Sequence, residues 1–140
     1  MKCNTRDFGE IELSPSDIIE FIHPPFGFED YTKYILLFDD EIQSPFAFLQ
    51  STEDPHLCFT LIDTTVFSSI YTPQYPQNVF SKLGEGDIQS FGICVVPADI
   101  SKATVNLKSP ILIGLTSHKG LQVILAENYP IRHPLMETED

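Results

Sequence analysis

Short apolar runs, separated by proline and glycine, recur along the whole chain. The sequence contains 11 prolines and seven glycines, and the runs between them are about five to eight residues long, a spacing typical of many short β-strands. Near the N-terminus, Ile11 and Leu13 alternate with Glu10 and Glu12, so one face of that strand is expected to meet water and the other a core. We predict strands at residues 7–13, 34–38, 46–50, 57–62, 90–96, 104–107, 111–115 and 121–126.

Two turns are predicted in the C-terminal half of the chain. Residues 108–110 separate two apolar runs, and Pro110 restricts Ser109 to an extended backbone. A hairpin turn is expected at residues 117–120, where Gly120 would supply the positive φ angle. Three strands joined by these two turns would form a meander.

Helical signals are few, which favours a mainly β fold. Ser14 followed by Pro15 is typical of a helical first turn, and residues 77–83 are expected to form a short helix that ends at Gly84. Because closure removes exposed strand edges, we predict a small antiparallel β-barrel-like single domain with one or two short helices; the alternative is a β-sandwich. The domain is expected to span residues 1–136, followed by an acidic frayed tail at 137–140.

The charge is strongly acidic and unevenly distributed. The chain of 140 residues has a formal net charge of −12, and residues 1–54 contain 12 acidic but only three basic residues. Such a surface repels phosphate backbones, so we expect no direct binding to nucleic acid. A basic protein partner would be attracted instead. The alternative interpretation is that the acidity only keeps the protein in solution.

The cysteines and the apolar content point to the cytoplasm. An odd count of three cysteines argues against a disulfide framework, and Cys58 and Cys94 are expected to be small buried hydrophobic residues. The first residues lack the apolar region of a secretion signal. No run reaches the roughly 18 apolar residues that a membrane helix needs, so we expect a cytoplasmic protein without a membrane partner.

The sequence shows little that is typical of catalysis. None of the histidines, His23, His56, His118 and His133, lies at metal-ligand spacing from another histidine or a cysteine. The acidic run at 39–41 lacks the alternating ligands and glycine of a calcium loop, so a solvated turn is favoured there. We expect no metal, no cofactor, no small-molecule substrate and no enzymatic activity. The alternative is a small hydrolase that uses His133 or His56 with a nearby carboxylate.

Five segments of the chain match motifs of one protein family. Residues 44–59 (SPFAFLQSTEDPHLCF) resemble its pattern S-P-F-x-x-L-Q-S-x-E-D-P-x-L-x-F. Residues 104–113 (TVNLKSPILI) resemble T-V-N-L-K-A-P-I, and residues 119–125 (KGLQVIL) are similar to K-G-x-Q-x-I-L. Residues 129–135 (YPIRHPL) resemble Y-x-x-R-H-x-L, and residues 27–29 match G-F-E. The order and spacing of these motifs agree from about residue 8 to residue 135, so the chain resembles the flagellar assembly factor FliW family.

The chain departs from the family pattern in two places. Residues 23–26 read His-Pro-Pro-Phe, where the family usually has Gly-Leu-Pro ahead of G-F-E, so that loop is expected to be stiffer. Residues 64–83 resemble the family less, which leaves partner contacts in that stretch without support from the motif.

The resemblance implies a β-barrel-like fold and two protein partners, flagellin and the translational regulator CsrA. In the family, FliW bound to CsrA stops CsrA from repressing flagellin synthesis, and free flagellin takes FliW away. The chain would then work by a partner switch and without catalysis. A structural part of the flagellum is a further alternative, which the absence of coiled-coil heptads disfavours.

Nine residues are candidates for partner contacts, and most of them have a structural alternative. Phe26 and Phe28 are expected to be either exposed anchors or plugs at a barrel end. Asp54 has a turn-capping alternative, and Arg132 is expected to pair with an internal carboxylate. A turn-stabilising role is the alternative for Asn106 and Lys108. The full set is Phe26, Phe28, Glu29, Glu53, Asp54, Asn106, Lys108, Arg132 and His133.

Overall fold

A computed structural model of the chain describes residues 1–38 and 44–136. The predicted acidic turn at 39–41 and the predicted tail at 137–140 therefore lie outside the described residues. Ten strands lie within the described part: β1 Lys2–Asn4, β2 Glu10–Glu12, β3 Ile19–His23, β4 Lys33–Leu37, β5 Phe46–Ser51, β6 Cys58–Asp63, β7 Ile88–Val95, β8 Thr104–Gly114, β9 Lys119–Gln122 and β10 His133–Pro134.

Seven of these strands, β3 to β9, close into a barrel. Hydrogen bonding runs in the order β8, β7, β6, β5, β4, β3 and β9, and β9 pairs back onto β8. This confirms the predicted mainly β barrel. One pairing differs from the antiparallel prediction, because β3 and β9 run parallel. Since parallel neighbours cannot be joined by a tight turn, no local signal in the sequence indicates this pair.

The predicted turn at 108–110 is wrong, because β8 continues through it as one strand of 11 residues. The side-chain oxygen of Asn106 accepts hydrogen bonds from the backbone N–H groups of Lys108 and Ser109, both at 3.0 Å. Pro110 has no N–H to donate, and its carbonyl oxygen accepts from Val123 at 3.1 Å. The register between β8 and β7 is irregular over these residues. The first part of β8 pairs with β10 and its last part with β9.

The predicted role of Gly120 in the following turn is also wrong. His118 carries the positive φ angle there, at 56°, whereas Gly120 lies inside β9. A Cβ atom on Gly120 would sit 2.8 Å from the buried ring of Phe21. The glycine therefore allows close packing between β9 and β3 rather than a turn.

The N-terminal region differs most from the predicted strands. Of the predicted strand at 7–13 only β2 forms, because the chain first turns at Gly9, whose φ is 68° and whose carbonyl oxygen accepts from Thr5. β1 and β2 form a separate two-stranded sheet. Strands β1, β3 and β10 were not predicted, since each is short or lies beside prolines.

The helical predictions are confirmed. A 3₁₀ turn forms at Pro15–Asp17, and the backbone N–H of Ser14 donates to the Asp17 carboxylate at 2.8 Å. Helix α1 spans Gln77–Leu83 and ends at Gly84, whose φ is 79°. Further 3₁₀ turns lie at Thr64–Phe67 and Ile100–Lys102. In the described residues no helix has the length and apolarity to cross a bilayer.

The core lies mainly inside the barrel. Alternate positions of the strands form one buried interior cluster, made of Ile19, Phe21, Tyr34, Ala47, Leu49, Leu61, Phe91, Ile111 and Ile113. Outside the wall, Val79 and Leu83 of α1 pack on Leu112 and Leu121. The three cysteines are buried free thiols, as expected for Cys58 and Cys94.

Candidate functional site

The side chain of Gln50 is fully buried and forms hydrogen bonds with the backbone of the turn between β5 and β6. Its side-chain oxygen accepts from the backbone N–H of Arg6 at 2.8 Å. Its amide nitrogen lies 3.1–3.3 Å from the carbonyl oxygens of Ser51, Asp54, Pro55 and Leu57. Gln50 was quoted within the sequence motif but not predicted as a functional residue. A glutamine just before a turn signal is the clue that the sequence offered.

The same turn is closed by two further side chains of the motif. The hydroxyl oxygen of Ser51 accepts from the backbone N–H groups of Glu53 and Asp54, both at 3.0 Å. The Asp54 carboxylate accepts from the backbone N–H of His56 at 2.9 Å. Asp54 therefore has the turn-capping role that was its structural alternative.

Glu53 ties this turn to the loop between β3 and β4. Its carboxylate accepts from the backbone N–H groups of Thr32 and Lys33, at 2.9 and 3.0 Å. In the loop itself, the backbone N–H of Gly27 donates to Glu29 at 3.1 Å. The N–H groups of Gly27 and of Glu29 itself lower the pKa of the Glu29 carboxyl.

Four carboxylates thus lie on two turns that are bonded to each other. Asp30 and Glu53 are exposed, as is Glu29, while Asp54 is half-buried. We call the set Glu29, Asp30, Glu53 and Asp54 the carboxylate edge. It presents anionic charge at one end of the barrel.

The two candidate phenylalanines of this loop differ in what they do. The ring of Phe28 packs edge-on against Phe59 at 5.2 Å, so Phe28 partly covers the barrel end while remaining 37% exposed. Phe26 is 47% exposed, and its backbone N–H donates to Gln122 at 2.7 Å. Phe28 therefore fits the plug alternative, whereas the Phe26 side chain is exposed.

A buried hydroxyl lies behind this cover. Tyr34 is fully buried and its ring lies 6.2 Å from that of Phe59. Its hydroxyl finds no hydrogen-bond partner among the described residues. Burial, and then the neighbouring charge of Glu53, raises the pKa of the Tyr34 phenol, so the group stays neutral in the folded protein.

Two clefts flank Phe26. The first, which we call the Arg132 cleft, has a volume of about 380 Å³ and brings together Phe26, Asn106 and Arg132. Apolar side chains complete it: Pro25, Phe59, Ile93, Val95 and Ile131. The second, the Lys82 cleft, has a volume of about 390 Å³ and lies against α1. Among its described lining residues are His23, Phe26, Val79, Lys82 and Ile124.

Gln122 holds the loop between the two clefts and was missed from the sequence. It is buried, accepts from the Phe26 backbone and donates to the carbonyl oxygen of Ser109 at 3.0 Å. The Gln122 side chain thereby links the irregular part of β8 to the Phe26 loop. The signal that could have identified Gln122 is a single polar residue within an apolar strand, because a buried polar side chain needs hydrogen-bond partners.

Comparison of the sequence with known proteins identifies the family of this chain. A family model described as FliW protein matches residues 2–135. The chain belongs to the FliW family. The flagellar assembly factor FliW of Thermoanaerobacter pseudethanolicus is 37% identical over 141 residues, covering 98% of this chain and 94% of the relative. The flagellar assembly factor FliW of Caldanaerobacter subterraneus subsp. tengcongensis is 36% identical with the same coverage.

The fold of this FliW-family chain also matches a solved structure. A crystal structure of the flagellar assembly factor FliW superposes with a TM-score of 0.90 at 31% sequence identity, covering 100% of both chains. The predicted resemblance to the FliW family is therefore confirmed.

Two of the candidate residues, Lys108 and His133, lie away from the carboxylate edge. Lys108 donates from its side chain to the carbonyl oxygen of Glu127 at 2.7 Å, which braces the chain that follows β9. The ring of His133 packs edge-on against Phe67 at 5.4 Å, on the outer wall. In this FliW-family chain both residues thus make structural contacts away from the carboxylate edge.

The predicted pairing of Arg132 with an internal carboxylate is wrong for the described part of the chain. Arg132 is exposed, and the ion pairs formed there are Lys2 with Glu10 and Arg6 with Asp7. An exposed guanidinium gains little from an ion pair, because water solvates its charge.

An apolar groove that is separate from the two clefts was not predicted from the sequence. It lies on the outer wall of the barrel, has a volume of about 560 Å³ and includes Phe46, Ile62 and Leu135. Its rim contains Val66 and Ile100, which are 51% and 63% exposed. Residues 64–83 resemble the family pattern less, so the motif gave no reason to single out Val66.

The histidines of the hydrolase alternative are not arranged for catalysis in the described residues. His56 is exposed, and its hydrogen bond to Asp54 comes from the backbone. His133 packs on an aromatic ring, and no bond from either imidazole to a carboxylate occurs there. Across residues 1–38 and 44–136, no group of three metal-binding side chains was found.

Proposed function

We propose that the chain is a non-catalytic flagellar assembly factor that binds flagellin and CsrA in the cytoplasm, and so relieves CsrA repression of flagellin translation. Membership of the FliW family carries this proposal, since curated relatives are named flagellar assembly factors. The exposed side chain of Phe26 beside the carboxylate edge supports it as a place for protein contacts.

The carboxylate edge is the surface that suits CsrA. A regulator that binds RNA needs cationic side chains to neutralise phosphates. Glu29, Asp30, Glu53 and Asp54 would attract that surface and, once bound, disfavour RNA by charge repulsion. The bonds from Glu53 to the neighbouring loop tie together the two turns that carry the four carboxylates, which lowers the ordering cost of binding.

Gel filtration of the full chain with each partner tests the proposed function. We expect it to comigrate with flagellin and with CsrA in separate experiments, and an excess of flagellin to displace CsrA. If it comigrates with neither partner, the proposed function is wrong. Finding it as a stoichiometric component of purified filaments would support a structural role instead.

Neutralising two exposed carboxylates is expected to weaken CsrA binding. The double variant E29Q/D30N should lose about five- to tenfold in affinity at low salt, mainly through a slower association rate, because charges at an interface rim steer the encounter. The difference should shrink as salt is raised. Surface plasmon resonance at two salt concentrations measures both effects.

The matched control is E85Q/D87N, which removes the same amount of charge. These residues lie just before the start of β7, whereas the carboxylate edge lies at the barrel end where β7 finishes. Both residues are exposed and precede the strand, whereas Val95 at its other end lines the Arg132 cleft. The control should bind CsrA like the wild type. Equal losses for the two double variants would mean that only net charge matters and that the edge is not the contact.

A further inference from the structure

The two clefts beside Phe26 contain basic side chains, whereas the protein as a whole is acidic. The chain has 20 acidic and eight basic residues, yet the described lining of the clefts contains Lys82 and Arg132 and no carboxylate. The side-chain nitrogen of Lys82 also lies 3.0 Å from the imidazole of His23. A cationic spot on so acidic a surface favours an anionic ligand by charge complementarity.

The side chains around these cations are apolar and exposed. Ile131 is 62% exposed and Val95 63% in the Arg132 cleft, and Ile124 is 59% exposed in the Lys82 cleft. Phe26 forms the ridge between the clefts and belongs to both. Exposed apolar side chains grouped around clefts in this way are typical of a protein contact site.

We propose that the two clefts bind one amphipathic protein segment that places an apolar side chain on each side of Phe26 and directs acidic side chains to Lys82 and Arg132. The identification of this segment with a segment of flagellin rests on the proposed function. Recognition would follow the helix-in-groove mode, in which apolar anchors supply affinity and flanking charges fix the register.

The position of this surface gives a structural reason for mutually exclusive complexes. Phe26 and Glu29 lie on the same short loop, three residues apart, so the cleft pair adjoins the carboxylate edge. An acidic segment over the clefts and a basic protein on the edge would compete for the same loop. Flagellin and CsrA would therefore displace each other without any long-range change in the barrel.

Charge reversal in the clefts tests the inference by calorimetric titration with purified flagellin. K82E and R132E should each weaken flagellin binding by about tenfold, because each turns an attraction into a repulsion at the contact. The variant F26A should weaken it by at least about thirtyfold, as expected for an aromatic hot spot. CsrA affinity of K82E should stay within about twofold of the wild type or increase.

The matched control is K102E, which makes the same charge change at an exposed lysine outside both clefts. It should bind flagellin like the wild type, while K82Q and R132Q should lose less affinity than the charge reversals. Circular dichroism checks that each variant is folded. If wild-type protein binds flagellin and the cleft variants bind equally well, the inference is wrong while the proposed function stands. If the wild type does not bind flagellin, both fail.

Discussion

Replacing Phe91 with alanine is expected to lower the free energy of unfolding by about 3–5 kcal/mol, the range for a large aromatic residue removed from a core. Phe91 is fully buried in the interior cluster. It lies opposite Asp63 on β6 and Ile111 on β8, so its ring fills the barrel between two neighbouring strands. Because a closed barrel wall cannot collapse inward easily, most of the cavity should remain. Urea denaturation followed by circular dichroism measures the loss.

Phe80 provides the control for this substitution. It is 48% exposed on α1, and alanine is a good helix former, so F80A should cost less than about 1.5 kcal/mol. Domains of this kind are stable by only about 5–15 kcal/mol, so F91A should also unfold at a clearly lower temperature. A loss below about 1 kcal/mol for F91A would show that the interior repacks and that the barrel is less rigid than its hydrogen bonding indicates.

The strands that the sequence predicts best are those whose signals are local. β5 and β6 are separated by the turn residues of the S-x-E-D-P segment, and the predicted limits at 46–50 and 57–62 agree with the structure within one residue at each end. Helix α1 matches its predicted limits because a glycine ends it. Each of these elements is decided by residues only a few positions apart.

The errors arise where distant residues decide the backbone. Pro110 has the sequence signature of a turn, but the side chain of Asn106 takes up the neighbouring N–H groups and the strand continues. Gly120 resembles a turn glycine, but the ring of Phe21, about 100 residues earlier, requires its missing side chain. The closing β3–β9 pair has no local signal because its strands lie far apart in the chain.

The candidate site was predicted in residue identity more than in arrangement. The carboxylates Glu29, Glu53 and Asp54 lie in motifs that resemble the family, as does Phe28. Phe26 lies where the chain departs from the family pattern, and Asp30 was not predicted. The structure brings Glu29 and Glu53 onto bonded turns. The clefts could not be predicted, because Lys82, Asn106 and Arg132 come from three separate segments. Their proximity depends on barrel closure, which periodicity does not reveal.

Replacing Gln50 with leucine is expected to cost about 3–4 kcal/mol, because buried polar groups left without partners cost about 1–3 kcal/mol each. Leucine keeps much of the volume, but the backbone N–H of Arg6 and the carbonyl oxygens around the turn lose their shared partner. Chemical denaturation should therefore show a loss nearly as large as that of F91A.

The same variant should also alter the site, since the Gln50 amide fixes the turn that holds Glu53 and Asp54. With that turn loosened, Glu53 should lose its bonds to the neighbouring loop, and CsrA affinity should fall even where the protein remains folded.

Gln89 offers a control, because it is half-buried with one side-chain bond to Asp63 at 3.2 Å, so Q89L should cost less than about 1.5 kcal/mol. If Q50L proves as stable as Q89L, water or a shifted turn must satisfy these groups, and the S-x-E-D-P segment would hold its shape without the glutamine beneath it.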